Sequence, residues 1–221
     1  MSRNDPAVVI FDLDGTITRY DTYVRFLVYS IYQQPLKTLR LPGLAIDVVR
    51  HKLGKQTNTW LKKRFLAAIL AGQKRSEIDT RAKKYASYVA ETGVHNDALA
   101  CIKSHQDLGH ELILLSASLD IYVEPLGELL GFKNIICTRT SWIEDVLCHE
   151  LDGGNCYGDA KVDRLRQSLD RASDVNILVA YGDHEADFPL LKIAQRGVVV
   201  NPDEKLRVKA GDHQLEFVEW Q

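Results

Sequence analysis

Two carboxylates, Asp12 and Asp14, follow directly after a run of four apolar residues at positions 8–11. An uninterrupted apolar run of this length predicts a strand that is buried on both faces, as in a parallel sheet. Ligands of α/β proteins bind beyond the carboxyl ends of such strands, and two acids placed there are costly unless a cation or a reaction uses them. A plain polar junction between strand and loop explains the pair equally well, so the pair alone leaves both readings open.

Other groups that can do chemistry lie after later apolar runs or at the start of a later helix. Ser116 and Asp183 each follow an apolar run, and Lys161 lies near the start of a predicted helix. Each has an ordinary structural explanation as a turn serine, a helix-capping aspartate or a solvated lysine. Asp187 precedes a Phe-Pro pair and is equally well explained as a helix N-cap. Taken together and in this order, the groups argue for one shared site.

The elements that would position these groups divide the chain in two. Between residues 18 and 96 the strand pattern is absent, and apolar residues recur every three or four positions, as in Val24, Leu27, Val28 and Ile31. This spacing predicts helices. From residue 97 onwards helices and strands alternate, which predicts an α/β protein with a parallel sheet. We therefore predict a Rossmann-like parallel-sheet core of residues 1–17 and 97–221, with an all-helical cap of residues 18–96 inserted after the first strand.

The pattern of the core also predicts individual elements. Strands after the first are predicted at residues 111–115, 135–137, 175–181 and 198–200. Residues 142–157 alternate irregularly around a Gly-Gly pair, which predicts a hairpin or flap. A helix is predicted from Phe188 to Gly197, with the glycine marking its end.

Composition bounds the class of protein and its compartment. Of the 221 residues, 45% are hydrophobic and 26% are charged, as expected of a globular protein with one substantial core. The first strand begins too early for a signal peptide, and no apolar run approaches the roughly 18 residues of a membrane span. None of the cysteines is in a CxxC pair, which favours reduced thiols over a zinc site and predicts a cytoplasmic protein. They are Cys101, Cys137, Cys148 and Cys156.

Charge is distributed unevenly along the chain. Residues 36–84 contain thirteen Lys or Arg and three acids, a balance of +10, so the overall charge of −2 leaves −12 for the rest. These charges, with the apolar stretches at residues 46–49 and 65–70 between them, suggest a basic face that includes Lys62, Lys63 and Arg64. Such a face would attract a multiply charged substrate or contact an anionic membrane. A merely solvated helical surface explains the charges as well. Nucleic acid is not expected as a partner, because no base-stacking motif is present and the chain is net acidic.

The ordered set of groups resembles the haloacid dehalogenase-like superfamily of phosphohydrolases. Residues 12–16 (Asp-Leu-Asp-Gly-Thr) look like its first motif, Ser116 its second, Lys161 its third, and residues 182–187 (Gly-Asp-His-Glu-Ala-Asp) its fourth. The position of the insertion is similar to the family's helical cap of the first type. Short runs at residues 116–118, 123–125, 130–132 and 155–158 are similar to the phosphoserine-phosphatase-like branch, known as subfamily IB. Ala186 departs from that branch, whose phosphoserine phosphatases have Asn there.

The resemblance implies a mechanism and a role for each residue. It implies Mg²⁺ bound by the side chains of Asp12 and Asp183 and by the backbone carbonyl of Asp14. Asp12 would be the nucleophile that forms an aspartyl-phosphate, and Asp14 the general acid and base. Further roles implied by the resemblance are phosphate binding by Gly15, Ser116, Ala117 and Lys161, substrate binding by Asp21, and support of the metal ligands by Asp187.

The sequence therefore predicts a Mg²⁺-dependent phosphate monoester hydrolase. Its expected substrate is a small phosphorylated metabolite or a phosphorylated amino acid. Two alternatives keep the same chemistry: a phospholipid head-group phosphatase at the membrane surface, and a phosphotransferase or mutase that uses a bound hydroxyl instead of water. A binding protein that has lost catalysis is a further alternative, although the intact set of acids argues against it. The sequence gives no indication of oligomeric state.

Overall fold

The computed structural model describes residues 6–169 and 176–221. Seven strands form one sheet in the order β4-β3-β2-β1-β5-β6-β7. Neighbouring strands are parallel, except for β3 and β4, which form an antiparallel hairpin. The strands are β1 (Val8–Phe11), β2 (Glu111–Leu119), β3 (Asn134–Ile143), β4 (Val146–Asp152), β5 (Ile177–Gly182), β6 (Arg196–Val200) and β7 (Glu216–Val218). The predicted α/β class with a parallel-sheet core is confirmed.

Strand β1 lies at the centre of the sheet because every one of its residues is apolar. All four are buried, and β1 pairs with β2 on one side and with β5 on the other. An apolar residue at each position requires cover on both faces, which only an inner strand of a layered α/β fold receives. The carboxyl ends of β1, β2 and β5 therefore lie side by side at one edge of the sheet.

Helices make up the segment between β1 and β2. A 3₁₀-helix over Pro35–Arg40 follows the first helix, and the third continues as a π-helix over Leu66–Leu70. Between the π-helix and the fourth helix, Lys74 forms an antiparallel bridge with Val146 of β4, and Gly72 N–H donates to the carbonyl of Leu147 at 2.8 Å. The helices of this segment are α1 (Thr22–Gln33), α2 (Leu41–Lys52), α3 (Asn58–Phe65), α4 (Arg75–Thr92) and α5 (Asn96–Asp107).

Within the residues that the structure describes, four further helices connect the later strands. A 3₁₀-turn over Glu185–Asp187 precedes the short α8. The helices are α6 (Asp120–Leu129), α7 (Asp159–Ser168), α8 (Phe188–Leu191) and α9 (Glu204–Gly211). Across residues 6–169 and 176–221, we find no helix that combines the length and the apolar character needed to cross a bilayer.

Two hydrophobic clusters cover the two faces of the sheet. Val9 and Phe11 of β1 belong to one cluster, and Val8 and Ile10 belong to the other, because successive side chains of a strand point to opposite faces. The cluster around Phe11 continues without a break into the helical insertion, for example to Tyr85 of α4. The insertion therefore shares one hydrophobic core with that face of the sheet. The division at residues 18 and 96 remains a prediction.

The helix predicted from Phe188 to Gly197 is wrong in its length. Helix α8 ends at Leu191, and Gly197 lies in β6. A Cβ atom on Gly197 would lie 2.5 Å from the carbonyl oxygen of Leu191. This glycine therefore allows the strand to pack closely against the preceding turn, and it does not end a helix.

Other predicted elements differ mainly in their bounds. The strand predicted at residues 135–137 is the first part of the ten-residue β3, which forms with β4 the hairpin predicted within residues 142–157. Strand β5 begins at Ile177, and residue 175, where it was predicted to begin, lies outside the described residues. Strand β7 has no counterpart among the predicted elements.

Candidate active site

The first predicted group, Asp12, is held at the edge of the sheet by the backbone. Its N–H donates to the carbonyl of Tyr181 at 2.9 Å, which extends the pairing of β1 with β5 by one residue. Asp183 follows β5 directly. Ser116 lies within β2, where the pairing with β3 is interrupted between Leu115 and Leu119. The sheet therefore brings three of the predicted site residues to neighbouring strands.

A buried lysine binds two of the acids. Lys161 of α7 donates from Nζ to Oδ1 of Asp12 at 2.5 Å and to Oδ1 of Asp187 at 2.6 Å. All three side chains are at most 7% exposed. Burial alone lowers the pKa of Lys161, but the charges of the two carboxylates and the hydrogen bonds to them raise this pKa above its ordinary value. Lys161 is therefore a cation at neutral pH.

Three acids form a group that fits a divalent cation. One carboxylate oxygen from each of Asp12, Asp183 and Asp187 lies within 4.8 Å of the others. Burial, followed by the charges of nearby acids, raises the pKa of Asp183 to about 7 and raises the pKa of Asp12 despite Lys161. When all three acids are ionised, they carry more negative charge than Lys161 neutralises. Buried hard oxygen donors with uncompensated charge are the donor set that Mg²⁺ uses.

Asp187 takes part in this group more directly than the sequence suggested. Although it is the residue that precedes α8, its side chain makes no capping bond to that helix. Its Oδ1 instead accepts from Lys161, and its Oδ2 accepts from the N–H of His184 at 3.3 Å. The capping alternative weighed from the sequence is therefore wrong for this side chain.

Position 15 requires a glycine because of its backbone conformation and because it packs closely against Asp183. Its φ is +80°, and a Cβ atom there would lie 2.1 Å from Oδ2 of Asp183. A side chain at this position would strain the turn and displace an acid of the site. Thr16 Oγ1 donates from the same turn to Asp183 Oδ1 at 3.3 Å.

Asp14 is oriented by groups from both the insertion and the sheet. Thr22 at the start of α1 donates to its Oδ1 from N–H at 2.6 Å and from Oγ1 at 2.5 Å. Ser118 of β2 donates from Oγ to Oδ2 at 2.5 Å. Burial and the charge of Asp21 raise the pKa of Asp14, while these hydrogen bonds oppose the rise. Asp14 is thus fixed in place and has an increased tendency to hold a proton.

The remaining predicted residues are placed differently from one another. Asp21 is exposed at the rim of the cavity, and its Oδ1 accepts from the N–H of Val24 at 2.9 Å as the N-cap of α1. Ala117 lines the cavity together with Gly15. Ser116 is fully buried beside them, and its hydroxyl accepts from the N–H of Ser118 at 3.0 Å.

Lys62 is a site residue that the sequence reasoning missed. We expected it on a basic surface with Lys63 and Arg64, but its Nζ reaches the sheet and donates to the carbonyl of Ala117 at 2.5 Å and to Oδ1 of Asn155 at 2.8 Å. Burial lowers its pKa to about 8. Helical periodicity could have indicated that Lys62 points inwards, because it lies one turn before the fully buried Leu66.

The two neighbours of Lys62 form ion pairs at the surface. Lys63 pairs with Glu150 of β4, and Arg64 donates from Nε to Oδ2 of Asp47 at 2.7 Å. Successive side chains of a helix point about 100° apart, so three adjacent cations reach three different places. The expectation that all three form one basic face is wrong.

Comparison with known proteins identifies the family. A family model described as haloacid dehalogenase-like hydrolase matches residues 9–192. The chain belongs to the haloacid dehalogenase-like hydrolases. Protein CicA of Caulobacter vibrioides is 32% identical over 194 residues, which cover 86% of this chain and 84% of CicA.

Solved structures share the fold of this chain. A protein of unknown function from Bordetella pertussis Tohama I matches with a TM-score of 0.84 at 20% identity, covering 97% of this chain and 99% of that one. A phosphoserine phosphatase with an analogue of its phospho-aspartyl intermediate matches with a TM-score of 0.62 at 14% identity, covering 97% and 93%. The chain is therefore a haloacid dehalogenase-like hydrolase whose fold is similar to that of phosphoserine phosphatases.

Proposed function

We propose that this hydrolase is a phosphatase, which hydrolyses phosphate monoesters with Mg²⁺ through an aspartyl-phosphate formed on Asp12. The observation that carries the proposal is the buried group of Asp12, Asp183 and Asp187 around Lys161, at the carboxyl end of the central strand. Mg²⁺ bound by Asp12 and Asp183, with the backbone carbonyl of Asp14, would offset the negative charge of the phosphoryl group.

The residues divide the reaction between them. The carboxylate of Asp12 attacks phosphorus, an O–P bond forms, and the ester O–P bond breaks. The leaving oxygen takes a proton from Asp14, whose raised pKa favours the protonated form that this step needs. Asp14 then accepts a proton from a water molecule as that water attacks the aspartyl-phosphate and releases inorganic phosphate. Lys161 holds Asp12 in place and offsets its charge.

Phosphate binding is proposed for the turn and strand that border Asp12. Gly15 approaches Asp183 closely, and the backbone of Ala117 is fixed by a hydrogen bond. Both observations support a role for the N–H groups of Gly15 and Ala117 in binding the phosphate. Ser116, on the same strand as Ala117, is also proposed to bind the phosphate. Asp21 at the rim is proposed to contact the substrate. Four free cysteines support the proposed cytoplasmic location.

The experiment is hydrolysis of p-nitrophenyl phosphate with and without Mg²⁺, followed by trapping with hydroxylamine. We expect Mg²⁺-dependent turnover and a hydroxylamine-sensitive phosphoenzyme in the natural chain. Asp12→Asn should lose at least about 10³-fold in kcat, because an amide attacks poorly. Asp163→Asn, an exposed acid of α7, is the matched control and should keep full activity. Activity of Asp12→Asn within tenfold of the natural chain would refute the role of Asp12.

The proposed substrate is a small phosphorylated metabolite or a phosphorylated amino acid. Transfer to a bound hydroxyl, as in a phosphotransferase or mutase, would use the same residues and differ only in the acceptor. Product analysis separates the two, since hydrolysis releases inorganic phosphate whatever alcohol is added, and transfer produces a second ester.

A second candidate is a phospholipid head-group phosphatase at the membrane surface. The observation in its favour is an apolar and basic surface over residues 35–53, where Leu36 and Leu39 are 82% and 80% exposed. Asp47, the acid within this stretch, is buried and paired with Arg64. Such a surface matches the composition of segments that lie on anionic membranes, where each basic residue contributes roughly 1 kcal/mol. Its basic residues are Lys37, Arg40, Arg50 and Lys52.

Sedimentation with vesicles tests this candidate. We expect the protein to bind vesicles that contain phosphatidylserine and to leave neutral vesicles unbound. Leu36→Asp with Leu39→Asp should abolish binding, whereas Leu108→Asp, at a leucine near the end of α5 that is 67% exposed, should not. If the double variant instead changes the oligomeric state in sedimentation velocity, the surface is a contact between copies of the chain.

A further inference from the structure

The cavity above the acids has an unusual wall. It encloses about 520 Å³ and extends from Asp12 and Lys161 to the helices of the insertion. Over most of this distance the wall is apolar. We call this part the apolar chamber, and define it by Val28 and Ile31 of α1, Leu61 and Phe65 of α3, and Ile69 of the π-helix.

Helix α1 presents apolar side chains to two different places. Phe26 and Leu27 are buried and belong to the hydrophobic core. A second apolar row, which includes Val24 and Val28, lines the cavity and remains 54% and 47% exposed. A helix that packs against a core needs only one apolar face, so core packing does not account for the second row.

Polar groups near the chamber are largely engaged within the protein. Two of the N–H groups of Lys62 donate to Ala117 and Asn155. Asn58 accepts at Oδ1 from Nδ2 of Asn155 at 3.2 Å. Asp21 caps α1. A sugar or an amino acid would require several free polar partners here, because each unpaired buried hydroxyl or amino group is costly.

We propose that the natural substrate is a phosphate ester whose leaving group carries an aliphatic chain, and that this chain lies in the apolar chamber. The inference rests on the proposed function and names its substrate class. The phosphoryl group would lie at Asp12, and the chain would cover Val28, Phe65 and Ile69, which removes their apolar surface from water. A soluble amphiphile and a bilayer lipid share this chemistry.

A series of n-alkyl phosphates from ethyl to octyl, each below its critical micelle concentration, tests the proposal. Burial of one methylene corresponds to about a threefold to fourfold gain in binding. We therefore expect kcat/KM to rise by about threefold per methylene until the chamber is full. A flat series, with ethyl phosphate hydrolysed normally, overturns the inference and leaves the phosphatase proposal standing. Failure to hydrolyse any member with Mg²⁺ overturns the phosphatase proposal.

Alkyl phosphonates provide a readout without turnover, because their P–C bond is not cleaved. If the chamber takes an aliphatic chain, octylphosphonate should raise Tm more than ethylphosphonate at equal concentration. Equal shifts for the two compounds count against the chamber whatever the catalytic result.

Two variants test whether the dependence of kcat/KM on chain length comes from the apolar chamber. Val28→Asn should lower the octyl-to-ethyl ratio of kcat/KM by at least about threefold, since it puts an amide on the wall. Val208→Asn, an exposed valine of α9 away from the cavity, should leave the ratio unchanged. An unchanged ratio in Val28→Asn contradicts the proposed placement.

Lysophosphatidic acid in vesicles, compared with soluble octyl phosphate, distinguishes the two sources of the substrate. Faster hydrolysis on vesicles indicates a bilayer lipid, and equal rates indicate a soluble amphiphile.

Discussion

The two ends of the active-site cavity hold their side chains in opposite ways. At the sheet end, Asp12, Asp14 and Lys161 are bonded to neighbouring side chains at 2.5–2.6 Å. At the helical end, Val24 and Val28 are about half exposed and have no polar atoms to fix them. Chemistry requires atoms at fixed distances, which hydrogen bonds and ion pairs provide. Selection among substrates requires a surface of matching character, which apolar walls provide without fixed geometry.

The largest effect expected at the sheet end is loss of proton transfer in Asp14→Asn. General acid–base catalysis is worth about 10² to 10⁴ in rate. We expect a loss in this range for an alkyl phosphate, whose leaving alkoxide needs a proton. The loss should be much smaller for p-nitrophenyl phosphate, whose leaving group is stable as an anion. Equal losses for both substrates would remove Asp14 from the role of acid.

Lys161→Met should be the most destabilising change at this end. It leaves Asp12 and Asp187 buried without their cation. Breaking a buried pair by removing one partner costs about 3–5 kcal/mol in the free energy of unfolding. Urea denaturation without metal measures this difference. A cost below about 1 kcal/mol would show that the acids do not depend on Lys161, and the contrast between the two ends would be weaker than proposed.

Mg²⁺ should stabilise the folded protein through the same group of acids. Ligand at 100 times its dissociation constant adds about 2.7 kcal/mol to the free energy of unfolding. We expect Tm to rise with Mg²⁺ in the natural chain and to respond far less in Asp183→Asn. The exposed Asp163→Asn is the control and should respond as the natural chain does. If Asp183→Asn responds equally, the cation binds elsewhere.

The smallest effect concerns Lys62, the cation that joins the two ends. Burial lowers its pKa to about 8, below the ordinary value of 10.5. Between these values the unfolded chain keeps a proton that the folded chain has released, so a rising pH favours the folded state at this group. From pH 8 to 9.5 the free energy of unfolding of the natural chain should rise by about 1 to 2 kcal/mol relative to that of Lys62→Met. Urea denaturation at both pH values measures the gain.

Lys63→Gln is the matched control for this measurement. Lys63 is the next residue of the same helix and pairs with Glu150 at the surface. Exposed ion pairs contribute about 0 to 1 kcal/mol to the free energy of unfolding. We expect the difference in this free energy between the natural chain and Lys63→Gln to stay constant from pH 8 to 9.5. A similar pH dependence for both variants would mean that Lys62 is not buried as described.

The sequence by itself determined the fold class and the place of the site. An apolar run at residues 8–11 requires a central strand, and the acids that follow it must then lie at the edge of the sheet. These are local patterns, because strand periodicity and the position of an acid after a strand depend on a few adjacent residues. The family resemblance of the motifs came from the same local residues and is confirmed.

Only the tertiary structure decided which side chains meet at the site and which apolar residues are covered. Ser118 binds Asp14 across 104 residues, and Lys62 reaches Asn155 across 93. Whether such pairs meet depends on how the insertion packs onto the sheet, which no local pattern specifies. The spacing of Val24, Leu27, Val28 and Ile31 is equally consistent with a core and with a cavity wall. Periodicity gives the face of a helix on which a residue lies, whereas the packing of neighbouring elements decides what that face touches.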